Sequence, residues 1–589
     1  MTKKIRENTI PFWIDTKGKA TFKSLLTAEF LELYGWGSFQ SHKKRTVKRE
    51  LFHNDSGVLR IHNEQTAKKW VLDFLESLDE TEFLDGGMFE ASSFKKEDVL
   101  DGWINMSKEQ WNKILLSITI YSEENYQDTK LINVFRDCSD SSHIRFQNGV
   151  IKVSKDNIEI ISKDKLVDQG LIWESEQHPH NIKIQKDKKV GLFETFVINA
   201  FKKRDLSKND SDWRKNYVLD EEQLRSFKQA YGYLIHGHKS MDKLKCILCY
   251  DSEGSFDNPK GGNGKTLTMD SIKYYKLISS IAGKQWMQKD KFVWSDVTAE
   301  TKFVLVNDIE KDFKFQDLFN VITDDFQTEG KGINKVIIPK EKSPKVAITS
   351  NGIITGSGTS FERRKHVIEF GNYWKRCSDE GENVSDEKHI GKQLFSQFTE
   401  NDWIDFYNFG FECVQEYLRN GLSEIISDNY IQRDKIQRLE GTSGDGRITE
   451  WIQDWIKTTR IEDGYNTGHG IERHKLFAAF SRENSTLISP MPNGINENDF
   501  NDIVFRFVMM TDGLDYNPRK ARNGDTKSAR RSLIGPRGEQ KEHILITCIT
   551  DKPPKSNNVI EVKASKPLPS KPIMPDDDTM KHFKRIANQ

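Results

Sequence analysis

Cysteine is scarce in this 589-residue chain, with six in all. Only Cys246 and Cys249 lie near one another, inside an apolar stretch. No second Cys/His pair accompanies that C-x-x-C, so it argues for a buried strand and against a tetrahedral zinc or redox site. No run of about 18 apolar residues could span a bilayer, and "MTKKIRENTIPFWIDTKGKATF" holds no apolar stretch of signal-peptide length. A soluble, cytoplasmic protein with no membrane partner is therefore expected. Net charge is absent as well: 89 Lys+Arg balance 89 Asp+Glu. Nucleic-acid contact would have to come from local basic patches and not from a global positive field. No internal repeat is present, which speaks against a solenoid.

The length suits roughly four domains at about 150 residues each. Aromatic content of 11% and a charged fraction of 30% suit well-filled cores under solvated surfaces. Residues 1–130 alternate aromatic-rich amphipathic pieces with a basic cluster, Lys43, Lys44, Arg45, Lys48 and Arg49, that could neutralise phosphates. This predicts an α-rich or α+β accessory domain. Residues 131–240 read as an α+β region, with strands flanking an Asn148-Gly149 hairpin step and a helix in "EEQLRSFKQAYGYLIHGHK". Residues 241–440 form the core, closed by a helix that Thr399 or Asn401 opens and Gly421 ends. Residues 441–550 alternate three helical stretches with the strand-like "HILITCIT", a pattern compatible with a small winged-helix-like domain. From 551 to 589 the Pro/Lys-rich composition predicts a flexible tail.

Chemistry concentrates in the core. The strand "KCILCY" leads to "NPKGGNGKTLT". Strand, glycine-rich loop and helix start form the order in which backbone N–H groups and a helix N-terminus cradle a phosphate, and only glycine lets the backbone come that close. Gly261, Gly262, Asn263, Gly264, Lys265 and Thr266 are the expected nucleotide-binding residues. Lys265 would reach the β- and γ-phosphates, and the Thr266 hydroxyl would coordinate Mg²⁺. Pro259 stands where the G-x-x-x-x-G-K-[ST] pattern has its first glycine, so the first turn of the loop must be made differently. Further on, "TKFVLVNDIE" is an apolar strand ending in acid. Asp308 is the expected metal carboxylate and Glu310 the candidate water-activating base, two apart and so on one face if the strand continues. "FQTEGKGINKVIIPKEK" predicts a hairpin whose turn carries Lys331. "SPKVAITSNG" predicts a strand tipped by Asn351, which could sense the γ-phosphate, and "SFERRKHVIEF" sets Arg363 and Arg364 before another strand.

In this order the elements resemble superfamily 3 helicases, most closely the phage, plasmid and poxvirus-type primase-helicase proteins, in the helicase portion. The motifs span residues 246–370, and weaker similarity extends the match to about half the chain. The resemblance implies an α/β fold with an AAA+-like P-loop ATPase core. It also implies a hexameric ring hydrolysing ATP with Mg²⁺ between subunits, and translocation on single-stranded or forked DNA, usually 3′ to 5′. By position Lys331 would be the DNA-contacting residue of the channel hairpin, with Lys335 a weaker candidate. Arg363 and Arg364 would act across the subunit boundary.

The expected function is thus an ATP-dependent replicative DNA helicase of a bacteriophage or mobile element. The alternative is an AAA+ ATPase acting in assembly, or a DNA-binding initiator, without unwinding activity. Primase activity is not expected. Its two metals need an Asp-x-Asp pair on a strand, and the nearest cluster, Asp137, Asp140 and His143, has the wrong spacing. A separate primase or other replication protein would then be a partner.

Overall fold

The apolar runs of the middle region become adjacent strands of one sheet because each is apolar on both sides, as a strand covered on two faces must be. The structure is a computed structural model. It describes residues 12–15, 20–41, 48–78, 95–123, 128–185, 189–253, 261–287, 292–310, 313–330, 333–354, 356, 358–440, 447–462, 471–489, 494–511, 514–516, 518–520, 526–528, 531–534, 540–544 and 546–548. The five strands are β1 (Cys246–Asp251), β2 (Ile278–Ala282), β3 (Phe303–Asn307), β4 (Lys345–Ser350) and β5 (Lys365–Phe370). They pair in the order β2-β3-β4-β1-β5, every pairing parallel. Alternation sorts their side chains. Ile247, Cys249, Phe303, Leu305, Ala347 and Ile368 enter one core, while Cys246, Leu248, Val304, Val306, Val346 and Ile348 enter the core on the other face. The chain is mixed α/β.

The first of these cores is capped by two helices, α1 (Glu221–Ile235) and α3 (Glu400–Asn420); between them in the chain, α2 (Lys265–Asp270) follows the glycine loop. Asp220 opens α1 by accepting from Gln223 N at 3.0 Å. Thr399 opens α3 with a capping box to Asp402, and Gly421 closes it at φ 70°. The two helices touch closely at Gly232, where a Cβ would lie 2.0 Å from the Cys413 carbonyl oxygen. The helix that starts at the end of the glycine loop is short. α2 stops at Asp270, and a 3₁₀ turn, Ser271–Tyr274, follows.

The unit that holds this sheet is Met1–Gly446; the second is Arg447–Gln589. Within the first, a six-stranded sheet runs in the order Ile172–Trp173, Val58–His62, Lys48–Asp55, Trp36–Ser41, Ile120–Ser122, Lys130–Leu131. Helices Ser24–Leu33, Glu64–Glu76, Lys96–Ile104 and Lys108–Ser117 accompany it. Phe12, Phe30, Trp36, Val71, Trp103 and Trp111 form a buried core there, so this region is α+β. The hairpin expected at Asn148-Gly149 is present one residue earlier. Phe146 pairs with Gly149, leaving Gln147 and Asn148 as its two-residue loop. Gly149 begins the return strand at φ 150°, where a Cβ would lie 2.2 Å from the Ile161 carbonyl oxygen.

Asp137 ties this part to the sheet. Its carboxylate accepts from Lys276 Nζ (2.9 Å), Ser142 Oγ (3.0 Å), His143 N (2.7 Å) and Gly237 N (2.5 Å). Burial alone would raise its pKa, but Lys276, His236, Arg145 and the His143 N–H outweigh burial and hold it far below the ordinary value.

In the second unit the helices Arg447–Glu462, Arg473–Glu483 and Glu497–Met510 surround Phe480, Phe500, Ile503 and Val504, all buried. Asn496 caps the last helix, accepting from Asn498 N (2.9 Å) and Asp499 N (3.0 Å). Strands Ile471–Glu472, Gln540–Ile544 and Arg531–Ile534 make an antiparallel sheet in that order. Among the described residues, no helix is long and apolar enough to cross a membrane.

Candidate functional site

In a parallel sheet the C-terminal ends of the strands share one edge, and a crevice opens where successive connections depart in opposite directions. Here β1 leads away past β4 and β3 to β2, whereas β4 leads across β1 to β5. The crevice therefore lies between the ends of β1 and β4. Tyr250 pairs with Ser350, so the next residues, Asp251 and Asn351, sit at that opening.

Lys265 occupies it. As the first residue of α2 it sends its buried ammonium back to the sheet, where Nζ donates to Asp251 Oδ2 and reaches Asn351 Oδ1 at 3.5 Å. Two of the expected residues, 86 apart in sequence, are thus brought together by a third that sequence reading missed. Asp251 reads as the polar tail of an apolar strand, and its only signal is its position at the start of the loop. Its pairing is incomplete. Burial raises its pKa, and Lys265 and the Asn263 side chain only partly counter that. Oδ1 is buried without a hydrogen-bond partner among the described residues. A buried carboxylate with one strong partner is a poor resting place for a lysine, because the uncompensated oxygen carries a desolvation cost.

The loop residues divide by role. Gly262 and Gly264 take φ of 97° and 89°, which L side chains rarely adopt. At Gly264 a Cβ would also meet the Phe196 ring at 2.6 Å, whereas at Gly262 nothing lies within 4 Å. Gly261 and Gly262 are exposed. Asn263 turns inward: it is buried, and its Oδ1 accepts from Lys375 N at 3.2 Å. Its side chain therefore anchors the loop, leaving only its backbone to face a ligand. Thr266 is exposed on the first turn of α2.

The acids differ from the alternation expected of them. β3 ends at Asn307, and Asp308 already has φ 48°, so the two-residue periodicity stops before it reaches Glu310. The turn is held by Thr349 of β4. Its Oγ1 accepts from Asp308 N (3.0 Å) and donates to Asn307 Oδ1 (3.4 Å), and its carbonyl accepts from Ile309 N (3.2 Å). Ile309 is buried beneath the turn, while Asp308 and Glu310 are both exposed. Left-handed backbone in a non-glycine residue is a strained placement that packing must enforce, and Thr349 and Ile309 do so. Thr349 carried no sequence signal, since threonine inside an apolar strand is ordinary.

The paired arginines also separate. Arg364 lies over the Phe319 ring at 4.6 Å and donates to the Ser360 carbonyl at 3.1 Å; Arg363 is exposed. The hairpin is present as Phe326–Gly330 against Ile333–Ile338. Lys331 in its turn lies outside the described residues. Lys335 is in the second strand, but its side chain lies outside them too. Lys43, Lys44 and Arg45 are likewise outside, while Lys48 and Arg49 begin the strand Lys48–Asp55. Cys246 and Cys249 are buried in β1, and burial pushes both thiols up, as a core strand requires. Asp137 is engaged in the clasp described above, where it holds His143 through that residue's backbone N–H.

No protein-family profile matches the chain, and no curated protein does. Among solved structures, the chain is similar to the A form apo structure of the NrS-1 C-terminal region, at 13% identity and a TM-score of 0.37, covering 89% of this chain and 100% of that one. A second structure of that region, residues 305–718, gives 13% identity, a TM-score of 0.36, and coverage of 89% and 99%. Likeness at this level carries no functional argument.

Proposed function

We propose that this chain is an ATP-dependent DNA helicase serving replication of a bacteriophage or mobile element, and that its nucleotide site is the crevice between β1 and β4. The observation that carries the reading is Lys265, buried at a strand-loop-helix junction and held by an under-satisfied carboxylate. A triphosphate offers that ammonium several oxygens in place of one. Gly262, left-handed and with nothing within 4 Å of where a side chain would stand, leaves room for the anion.

The residues present fit Mg²⁺ with ATP. Thr266 and Asp308 supply hard oxygen ligands, the kind this ion takes, and both are exposed. When bound, Mg²⁺ would neutralise charge on the phosphates. Asn351, already within reach of Lys265, would sense the γ-phosphate, and Glu310 would orient water. Arg363, exposed beside β5, is the better placed of the pair to serve a neighbouring copy in a homo-hexameric ring, since Arg364 is stacked on its own chain. In the second unit, the three helices with a three-stranded antiparallel sheet drawn from one strand between the first two helices and two strands after the third support reading it as a winged-helix-like DNA-binding domain.

The test is unwinding of a forked duplex with ATP by the native chain, Lys265→Ala and Lys331→Ala. Lys265→Ala should lose both hydrolysis and unwinding, and Lys331→Ala unwinding alone. Hydrolysis without unwinding in the native chain would favour an assembly ATPase or initiator. Unwinding that survives Lys265→Ala would remove the nucleotide site from this crevice.

A further inference from the structure

A second cluster of ligand atoms lies behind the glycine loop, where no function has been assigned. Cys377 Sγ, on the helix Tyr373–Asp379, lies 3.2 Å from His389 Nε2, and Glu382 Oε2 lies 2.8 Å from the same nitrogen. The three ligand atoms fall within 4.8 Å of one another. His389 is fully buried at its side chain, and Cys377 is buried. One ring nitrogen faces both a thiol and a carboxylate, yet a neutral imidazole nitrogen offers either one proton or one lone pair, so the thiol proton is left to the Glu382 carbonyl at 3.4 Å. A cation at their common focus would satisfy all three atoms together.

The surroundings orient each ligand. His389 Nδ1 bonds the Tyr373 hydroxyl at 3.2 Å, which leaves Nε2 as the coordinating atom. Arg214 and Lys388 hold Glu382 through Oε1, so Oε2 is the oxygen turned toward the histidine. Arg214 is itself paired with Asp212 at 2.8 Å, and Lys388 is 46% exposed and screened by water, so neither bars a dication. The rings of Trp213 and Trp374 lie 6.4 and 5.6 Å from that of His389 and form an apolar wall.

We propose that Cys377, Glu382 and His389 form a binding site for a zinc-class divalent metal, with a fourth position open to water. One sulfur, one nitrogen and one oxygen suit a borderline ion that accepts tetrahedral geometry, and disfavour Mg²⁺ or Ca²⁺, which take oxygen. On binding, the Cys377 S–H bond breaks. The sulfur keeps the electron pair as the metal–thiolate bond, and the proton leaves to solvent. The spacing C-x₄-E-x₆-H resembles no zinc-finger pattern, which is why the sequence reads as a polar acidic loop. The metal would tie the loop at 382–389 to the helix whose Lys375 N–H holds Asn263, bracing the glycine loop from behind.

The experiment is titration of the full-length, chelator-dialysed protein with Co²⁺, followed by Zn²⁺. One equivalent of Co²⁺ per chain should produce a near-ultraviolet thiolate-to-cobalt charge-transfer band and the visible bands of tetrahedral cobalt, and Zn²⁺ should erase both. Cys377→Ser should abolish the charge-transfer band, and Glu382→Gln should weaken Co²⁺ binding by about tenfold or more. Circular dichroism establishes that each variant is folded; should Cys377→Ser not fold, Glu382→Gln decides. Absence of the band at stoichiometric Co²⁺, its persistence in folded Cys377→Ser, or unchanged affinity in Glu382→Gln would overturn the proposal and leave a hydrogen-bonded cluster only.

Discussion

Among the described residues, the first unit contains two buried aspartate–lysine pairs, Asp137–Lys276 and Asp251–Lys265. Their side chains are equally hidden from water, at 4% and 6% exposure for the first and 0% and 5% for the second. Their environments differ. Asp137 accepts four donors and its pKa falls; Asp251 has Lys265 as its strong partner with help from the Asn263 side chain, an oxygen without a hydrogen-bond partner among the described residues, and a pKa that rises. A saturated pair resists exchange, because any rearrangement leaves several groups unmet. An unsaturated pair exchanges readily when a better anion arrives. The first is a structural clasp, and the second has the character of a site.

The sharpest way to break this comparison is to remove the clasp. Asp137→Ala leaves Lys276 as an uncompensated buried charge and strands the N–H groups of His143 and Gly237. It should cost about 3–5 kcal/mol of stability, measured by urea denaturation. A loss under about 1 kcal/mol would show that the two pairs are equivalent after all. Next in size is Lys265→Ala. ATP hydrolysis should fall by at least about 10²-fold, as expected when a donor to transition-state charge is removed, while the urea midpoint stays near that of the native chain. Equal losses of stability in Asp137→Ala and Lys265→Ala would erase the distinction.

Acid sharpens the contrast from another side. His236 lies beside Asp137 and donates from Nε2 to the Cys138 carbonyl at 2.7 Å. Burial, then Lys345, bring its pKa to about 4 although Asp137 pulls the other way. Burial likewise lowers His178 to about 4 and His366 to about 3. Each folded pKa is below the unfolded value of 6.5. Between those limits the unfolded chain binds more protons, so stability is full above about pH 6.5 and is lost as pH falls toward 4. From pH 7 to 5 each histidine should cost on the order of 1–2 kcal/mol. His236→Asn should remove its share of that decline, measured as urea midpoints at the two pH values. An unchanged decline would mean that His236 is not held neutral.

What could be read from the sequence follows from what is local. The glycine loop, the hairpin, the strand before Asn351 and the helix with Thr399 and Gly421 at its ends all announce themselves through neighbours a few residues apart. Their partners do not. Asp137 meets Lys276 and Thr349 fixes Asp308 only because the sheet brings distant segments side by side. The prediction that Asp308 and Glu310 share a strand face extended a local rule three residues past Asn307, where the strand ends. Cys377 lies in the last turn of a helix and His389 twelve residues on, in the loop that follows, where no periodicity links them. Which arginine packs inward was equally hidden, since it depends on Phe319, 45 positions from Arg364.

The smallest predicted effect tests the exchange idea most directly. Asp251→Asn keeps the shape of the side chain and removes its charge. Because burial already favours the protonated form of Asp251, stability should change by no more than about 1 kcal/mol. Nucleotide binding should become tighter, because the phosphates no longer compete with a carboxylate for Lys265 and no longer approach a buried negative charge. About 1 kcal/mol of relief corresponds to roughly a fivefold lower Kd, readable by fluorescence titration with a labelled ATP analogue. Weaker binding in Asp251→Asn would reverse the reading: the carboxylate would then be holding Lys265 in its working position, and the contrast with Asp137 would be one of degree.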